Sequence, residues 1–187
     1  EVCEVVDGQP TCFQGTVSTC WATGEPHYKT FDGKTFDFMG TCTYTLTKTC
    51  DLDPTLPVFS VEAKNEHRGN PKVSYVGSVT VRVYDVTVAV VRAEDGIVRV
   101  DSISHHLPAI LSKGRVQVHQ HGMGVLLQTD FGLVVRYDLL HHVTVTVPQS
   151  YQGHLCGLCG NYNGQHNDDF LLPNGQQAPN AVAFSSA

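Results

Sequence analysis

Long hydrophobic runs are missing from this chain of 187 residues. The longest apolar stretches, such as Val86-Thr-Val-Ala-Val-Val91, fall far short of the roughly 20 residues a spanning helix needs, so no membrane insertion is expected. Positive charge is also scarce. Against 18 Asp and Glu stand 12 Lys and Arg, and the net charge of -6 is spread along the chain, leaving no basic footprint for nucleic acid or anionic lipid. A sustained helical period occurs nowhere. There is no Asn-x-Ser/Thr sequon, so N-glycosylation is not expected. No signal peptide opens the sequence, and residue 1 reads as a cut inside a longer protein.

Cysteine is absent over residues 51–155, yet five cysteines crowd the first 50 residues (Cys3, Cys12, Cys20, Cys42 and Cys50) and two close the chain, Cys156 and Cys159. The one Cys-x-x-Cys pair lacks the second pair or the histidines that structural zinc requires. It also lacks the βαβ setting of a redox motif, because the segment before it reads as β chain. A disulfide framework tying the N-terminal region to the C-terminal turn fits better and implies a secreted, oxidising setting. Seven is an odd count, so one thiol is either free or bonded to a cysteine outside the sequence.

What is abundant is alternation. Val79, Val81 and Val83, then Val86, Val88 and Val90, follow a period of two around a candidate turn at Tyr84-Asp85. The pattern returns at Ile97–Val100, Val116–Val118, Val125–Leu127, Leu133–Tyr137 and Val143–Val147. Glycine-bearing turns intervene at Gly96, Gly114, Gly122-Met-Gly124 and Gly132. Such spacing predicts an all-β fold, an antiparallel β-sandwich or barrel with little helix. Residues 1–19 read as the tail of a preceding small cysteine-rich module. The polar C-terminal stretch reads as loop with at most a short helix.

One segment carries donor chemistry. In Cys156-Gly-Leu-Cys-Gly-Asn-Tyr-Asn-Gly-Gln-His-Asn-Asp-Asp169, oxygen-bearing side chains stand at Asn161, Asn163, Gln165, Asp168 and Asp169. Calcium takes six to eight oxygen ligands, and a loop presenting them at alternate positions can wrap it. A polar turn in which Asx side chains cap the backbone is the alternative. Adjacent carboxylates at Asp168 and Asp169 favour the ion, since like charges repel unless neutralised.

Two cysteine-flanked motifs, Gly-Glu-Pro-His-Tyr-Lys-Thr-Phe-Asp-Gly33 and Cys156-Gly-Leu-Cys-Gly-Asn-Tyr-Asn163, together resemble the von Willebrand factor type D domain, over residues 20–187. The run Phe36-Asp-Phe-Met-Gly-Thr-Cys-Thr-Tyr44 looks most like members of that family from mucus. The resemblance implies a β-sandwich whose C-terminal loop binds calcium through Asp32, Asn161, Asn163, the Gln165 carbonyl, Asp168 and Asp169. It further implies disulfides Cys20–Cys159 and Cys50–Cys156, with Cys42 unpaired here and directed to a following module. Cys3 and Cys12 would pair within residues 1–19, the remnant of a TIL-like module.

By the same resemblance the expected role is structural: a link in a large secreted mucus or matrix glycoprotein, contributing to a mucin-like polymer or gel. Neighbouring type D, eight-cysteine and trypsin-inhibitor-like (TIL) modules, mucins and other mucus proteins are the implied partners, with the immunoglobulin G Fc region a weaker one. Many type D domains cut themselves within Gly-Asp-Pro-His; this chain reads Gly24-Glu25-Pro26-His27. Asp closes a five-membered anhydride, whereas Glu must close a six-membered one from a longer arm, so the motif is expected to be inactive. If it did cut, His27 could move the proton. The paired histidines, His105-His106, His119-x-His121 and His141-His142, read as exposed strand and loop residues, not as a metal site. Trp21, beside Cys20, reads as packing against the disulfide.

Overall fold

A computed structural model describes residues 2–6, 8–13, 16–24, 27–50, 53–170, 172, 174 and 176–179, excluding the side chains of residues 2–4, 6, 11–13 and 166. Its strands, in chain order, are β1 (Val2–Val6), β2 (Gln9–Phe13), β3 (Val17–Thr23), β4 (His27–Lys29), β5 (Thr35–Asp37), β6 (Thr43–Thr49), β7 (Phe59–Glu66) and β8 (Tyr75–Val83). They continue as β9 (Val86–Val91), β10 (Ile97–Val100), β11 (Ile103–His106), β12 (Ala109–Leu111), β13 (Val116–His121), β14 (Gly124–Thr129), β15 (Val134–Tyr137), β16 (Val143–Pro148) and β17 (Leu155–Cys156). Helix among the described residues is confined to short 3-10 turns at Ser112–Gly114, Gln149–Tyr151 and His166–Asp168. None is long and apolar enough to cross a membrane.

The fold is the expected antiparallel sandwich. One sheet runs β11-β10-β9-β8-β7-β6-β17 and the other β12-β13-β14-β15-β16-β3-β4-β5, with β1 and β2 forming a separate hairpin. Alternation puts one face of each strand inside: Val79, Val81 and Val83 of β8 and Val143, Val145 and Val147 of β16 are all at most 2% exposed. Each such valine contributes on the order of 1.5–3 kcal/mol by leaving water. Tyr84-Asp85 makes the β8–β9 turn, with Tyr84 at φ 52. Gly96, Gly114, Gly122 and Gly132 all have positive φ, whereas Gly124 lies inside β14.

Strands β6, β7, β11 and β12 did not stand out by alternation. The Thr and Lys of β6, the charged outward residues of β7 and the His pair of β11 dilute the apolar signal, and β12 spans only Ala109–Leu111. Polar bridges join the layers. The Tyr137 hydroxyl donates to the Val76 carbonyl at 2.7 Å, and Asn65 Nδ2 donates to the Tyr28 hydroxyl at 2.8 Å. Burial pushes the Tyr28 and Tyr137 hydroxyls up to about 12.

Both long-range disulfides implied by the resemblance are present. Cys20 of β3 is bonded to Cys159 with 5.7 Å between Cα atoms, and Cys50, just after β6, to Cys156 of β17 at 6.0 Å. Cys42 is free and exposed. The β1–β2 register sets Cys3 opposite Cys12, but their side chains, and hence the expected Cys3–Cys12 bond, lie outside the described residues. The hairpin falls within residues 1–19, while the larger sheet already begins at Val17.

Candidate functional site

The disulfides place the C-terminal loop against the first part of the chain. Strand β17 pairs antiparallel with β6, and just beyond it the amide N–H groups of Leu158 and Cys159 donate to the Thr45 and Leu46 carbonyls at 3.0 and 2.8 Å. The Phe31 N–H in turn donates to the Cys159 carbonyl at 3.0 Å, bringing the β4–β5 turn, Thr30–Lys34, beside residues 160–169. Asp32 lies on that turn. Its two carboxylate oxygens accept from the backbone N–H groups of Asn163, at 3.0 Å, and Gly164, at 2.8 Å. A residue 131 positions away in sequence thereby caps the loop.

Asp169 sits deepest, 2% exposed. Its Oδ2 accepts from the Thr30 hydroxyl at 2.5 Å, while Oδ1 has no hydrogen-bond donor. Burial is the main reason its carboxyl is pushed up to about 7; the Asp32 carboxylate beside it adds to the rise, and the Thr30 hydroxyl and the Asn161 amide oppose it. Asn161 Oδ1 and Asp168 Oδ1 are likewise buried without a donor. Three of the expected ligands thus hold unsatisfied oxygen inside the loop, a costly arrangement for a bare protein. The like-charge contact that a cation would relieve is between Asp169 and Asp32 more than between the neighbours Asp168 and Asp169.

Asn163 and Gln165 stand differently. Asn163 Oδ1 accepts from the Gln165 N–H at 2.8 Å, an Asx turn, and its Nδ2 donates to Asp168 Oδ2 at 2.7 Å. Both side chains are exposed, so capping and ion-directed oxygen coexist in one loop. Gly160 is the hidden requirement: at φ +81, a Cβ there would stand 2.4 Å from Asp169 Oδ1. Among the described residues no three His, Cys, Asp or Glu side chains group as a metal cluster. A cation would therefore draw also on the Asn161 amide oxygen and main-chain carbonyls. The donors are all hard oxygens, which suits calcium and not zinc.

No sequence signal marks Thr30, which opens the same turn two residues before Asp32. His141, by sequence an exposed residue, is half-buried. Its Nδ1 accepts from the Gly24 N–H at 3.3 Å, and no local signal could link positions 117 apart. His27 Nδ1 meets Asp37 Oδ1 at 2.6 Å across the β4–β5 pair. Glu25 and Pro26 lie outside the described residues, and with them the bond whose fate the motif raises.

The sequence is similar to known proteins along nearly its whole length. The profile of the family described as von Willebrand factor type D domain matches residues 20–176. The chain is 51% identical over 185 residues to the human IgGFc-binding protein, covering 99% of this chain and 3% of that protein. It is 44% identical over 178 residues to mouse alpha-tectorin, 95% of this chain and 8% of that one. To zonadhesin of Sus scrofa it is 45% identical over 188 residues, 100% of this chain and 8% of the other. The chain therefore spans less than a tenth of the length of these curated relatives.

Proposed function

Because the chain belongs to the von Willebrand factor type D domain family, we propose that it is a structural and interaction module of a large secreted glycoprotein, stiffened by calcium and disulfides, and not an enzyme. The observation that carries the calcium part is the trio of buried, donor-less oxygens on Asn161, Asp168 and Asp169. Calcium would be held by these with Asp32, and by Asn163 and the Gln165 carbonyl at the rim. Bound there, it supplies positive charge that offsets the carboxylates and ties the β4–β5 turn to the C-terminal loop. The chain's own residues do the rest: Thr30 and Gly160 seat Asp169, Asp32 caps the loop, and Cys20–Cys159 anchors it to β3.

A rigid, crosslinked block of this kind suits load-bearing assembly of a mucin-like polymer or gel in the extracellular space or mucus. Its partners in this reading are the neighbouring type D, eight-cysteine and TIL modules, with Cys42 offering an exposed thiol to one of them, and mucins or other mucus proteins. Binding of an immunoglobulin Fc region follows only from the name of the human relative and is a weaker part of the proposal.

The test is thermal unfolding with calcium and with a chelator. At a free calcium concentration 100 times its dissociation constant, linkage adds about 2.7 kcal/mol, or roughly 5–10 °C for a chain of this size. Asp168→Asn should remove most of that shift. An unchanged melting temperature on chelation would overturn the ligand assignment.

Self-processing is the second reading, favoured by His141, whose Nδ1 accepts from the Gly24 N–H, and by His27, which follows Pro26 in the sequence. We place it behind the structural role because Glu replaces the Asp that such cleavage uses. Intact mass after reduction separates the two: a single full-length species supports the structural module, and two pieces divided after Glu25 would reverse the order.

A further inference from the structure

The outer face of the β12–β5 sheet carries a feature that neither the calcium loop nor the disulfides use. Following the registers across this sheet, one outward row reads His119, Leu126, Arg136, Thr144, Trp21, Lys29 and Thr35. Arg136 is exposed and Trp21 and Lys29 are half-exposed. Every other arginine of the chain is engaged: Arg68 and Arg92 with Glu66, Arg82 with Glu62, Arg99 with Glu94, and Arg115 with the Ser112 carbonyl and the Tyr84 ring. Arg136 has no hydrogen bond or ion pair among the described residues, and neither has the side chain of Lys29. The acids nearest the row are already committed. Asp37 is bound to His27 at 2.6 Å, and Asp138 accepts from the backbone N–H groups of Leu140, His141 and His142.

A chain of net charge -6 thus keeps two unneutralised cations on one flat face, with its only tryptophan between them. Three strand steps separate Arg136 from Lys29, about 14 Å at the usual interstrand spacing, and Trp21 is adjacent to Lys29 in the row. One flanking outward row holds the amides and hydroxyls of Gln117, Gln128, Thr146 and Thr19 with Val134 among them, and the other ends in the paired His27 and Asp37. The exposed apolar residues of the face, Ile110 and Val17, lie at its margins, on the edge strand β12 and at the start of β3, so its middle lacks the exposed apolar centre that a protein–protein interface builds on.

We propose that this face binds an acidic polysaccharide, a sulfated glycan chain lying across the strands. Its acidic groups pair with Arg136 and Lys29, the C–H face of one sugar packs on the Trp21 indole, and its hydroxyls meet the Thr and Gln side chains. Exposed ion pairs are weak singly and screened by salt, so the interaction is of modest affinity and gains from repetition along a polymer.

Trp21 gives the experiment its own reporter, being the single indole of the chain. The calcium-loaded protein is titrated with a chondroitin sulfate hexasaccharide, followed by tryptophan emission and by calorimetry, at low and physiological salt. Saturable binding with a shift in Trp21 emission, weakened by salt, is expected. The Lys29→Glu/Arg136→Glu double variant, checked for an unchanged circular dichroism spectrum, should weaken it at least tenfold, and Arg99→Glu on the opposite sheet should leave it unchanged. Equal binding of the desulfated hexasaccharide, undiminished binding by the double variant, or binding that leaves Trp21 emission unmoved would each overturn the proposal. Polyglutamate that binds as tightly as the glycan would overturn it in favour of an acidic protein partner.

Discussion

The two disulfides are nested, Cys50–Cys156 inside Cys20–Cys159, with separations of 106 and 139 residues. Taken singly, chain entropy gives loops of that size about 5 kcal/mol each. Nesting lowers the effect of either one. With Cys50–Cys156 in place, the outer bond constrains only the difference between 139 and 106, namely 33 residues, divided between Cys20 to Cys50 and Cys156 to Cys159. A loop of that length corresponds to about 3.7 kcal/mol. Cys20 and Cys159 are 3% and 0% exposed, so truncation also leaves a small cavity, a loss of the same sign. Urea unfolding of the Cys20→Ala/Cys159→Ala variant, non-reduced and at fixed calcium, should therefore show a loss of about 4 kcal/mol. Removing Cys50 and Cys156 instead should cost about 3.5 kcal/mol, because the outer bond then limits the same ends. A loss near 1 kcal/mol for either pair would refute the entropic argument.

Gly160→Ala and Gly164→Ala form a matched test of the loop. Both residues have positive φ, so each replacement should cost about 1 kcal/mol from the backbone alone. Only at Gly160 does the new methyl strike Asp169, so only Gly160→Ala should also abolish stabilisation by calcium, read as the melting shift on chelation. The Asp169 carboxyl supplies a pH test on the chelated protein. Its folded value of about 7 exceeds the ordinary unfolded value near 4, so the native state keeps a proton that the unfolded chain releases. Stability from this group is full below about pH 4 and is lost as pH rises to about 7; the difference between wild type and Asp169→Asn in urea unfolding should follow that window. Between the sheets, Tyr28→Phe removes the acceptor of Asn65 Nδ2, on a side chain 2% exposed whose Oδ1 already lacks a partner. Its cost should be about 1–3 kcal/mol by the same unfolding assay, with the fold retained.

Alternating valines and glycine-marked turns made β8, β9, β10 and β13 to β16 legible, because a strand buried on one face repeats every two residues whatever it packs against. The family motifs made the Cys20–Cys159 and Cys50–Cys156 pairs legible as well. Strands whose outward residues are Thr, Lys or His, such as β6 and β11, hid from the same rule. The division of labour within the loop was equally hidden: Asn163 looks like Asn161 in the sequence, yet one caps a turn and the other buries an unpaired oxygen.

By itself, then, the sequence determined the β class and the oxygen-rich loop, since periodicity and local composition are properties of neighbouring residues, while the pairings Cys20–Cys159 and Cys50–Cys156 came from the family resemblance. Only the tertiary structure decided that Thr30 holds Asp169, that Asp32 caps residues 163 and 164, that His141 reaches Gly24, and that Arg136, Trp21 and Lys29 share one row. These are relations between strands more than 100 positions apart or set by sheet register. Burial, desolvation and hydrogen bonding act on such distances in space, which no local pattern along the chain records.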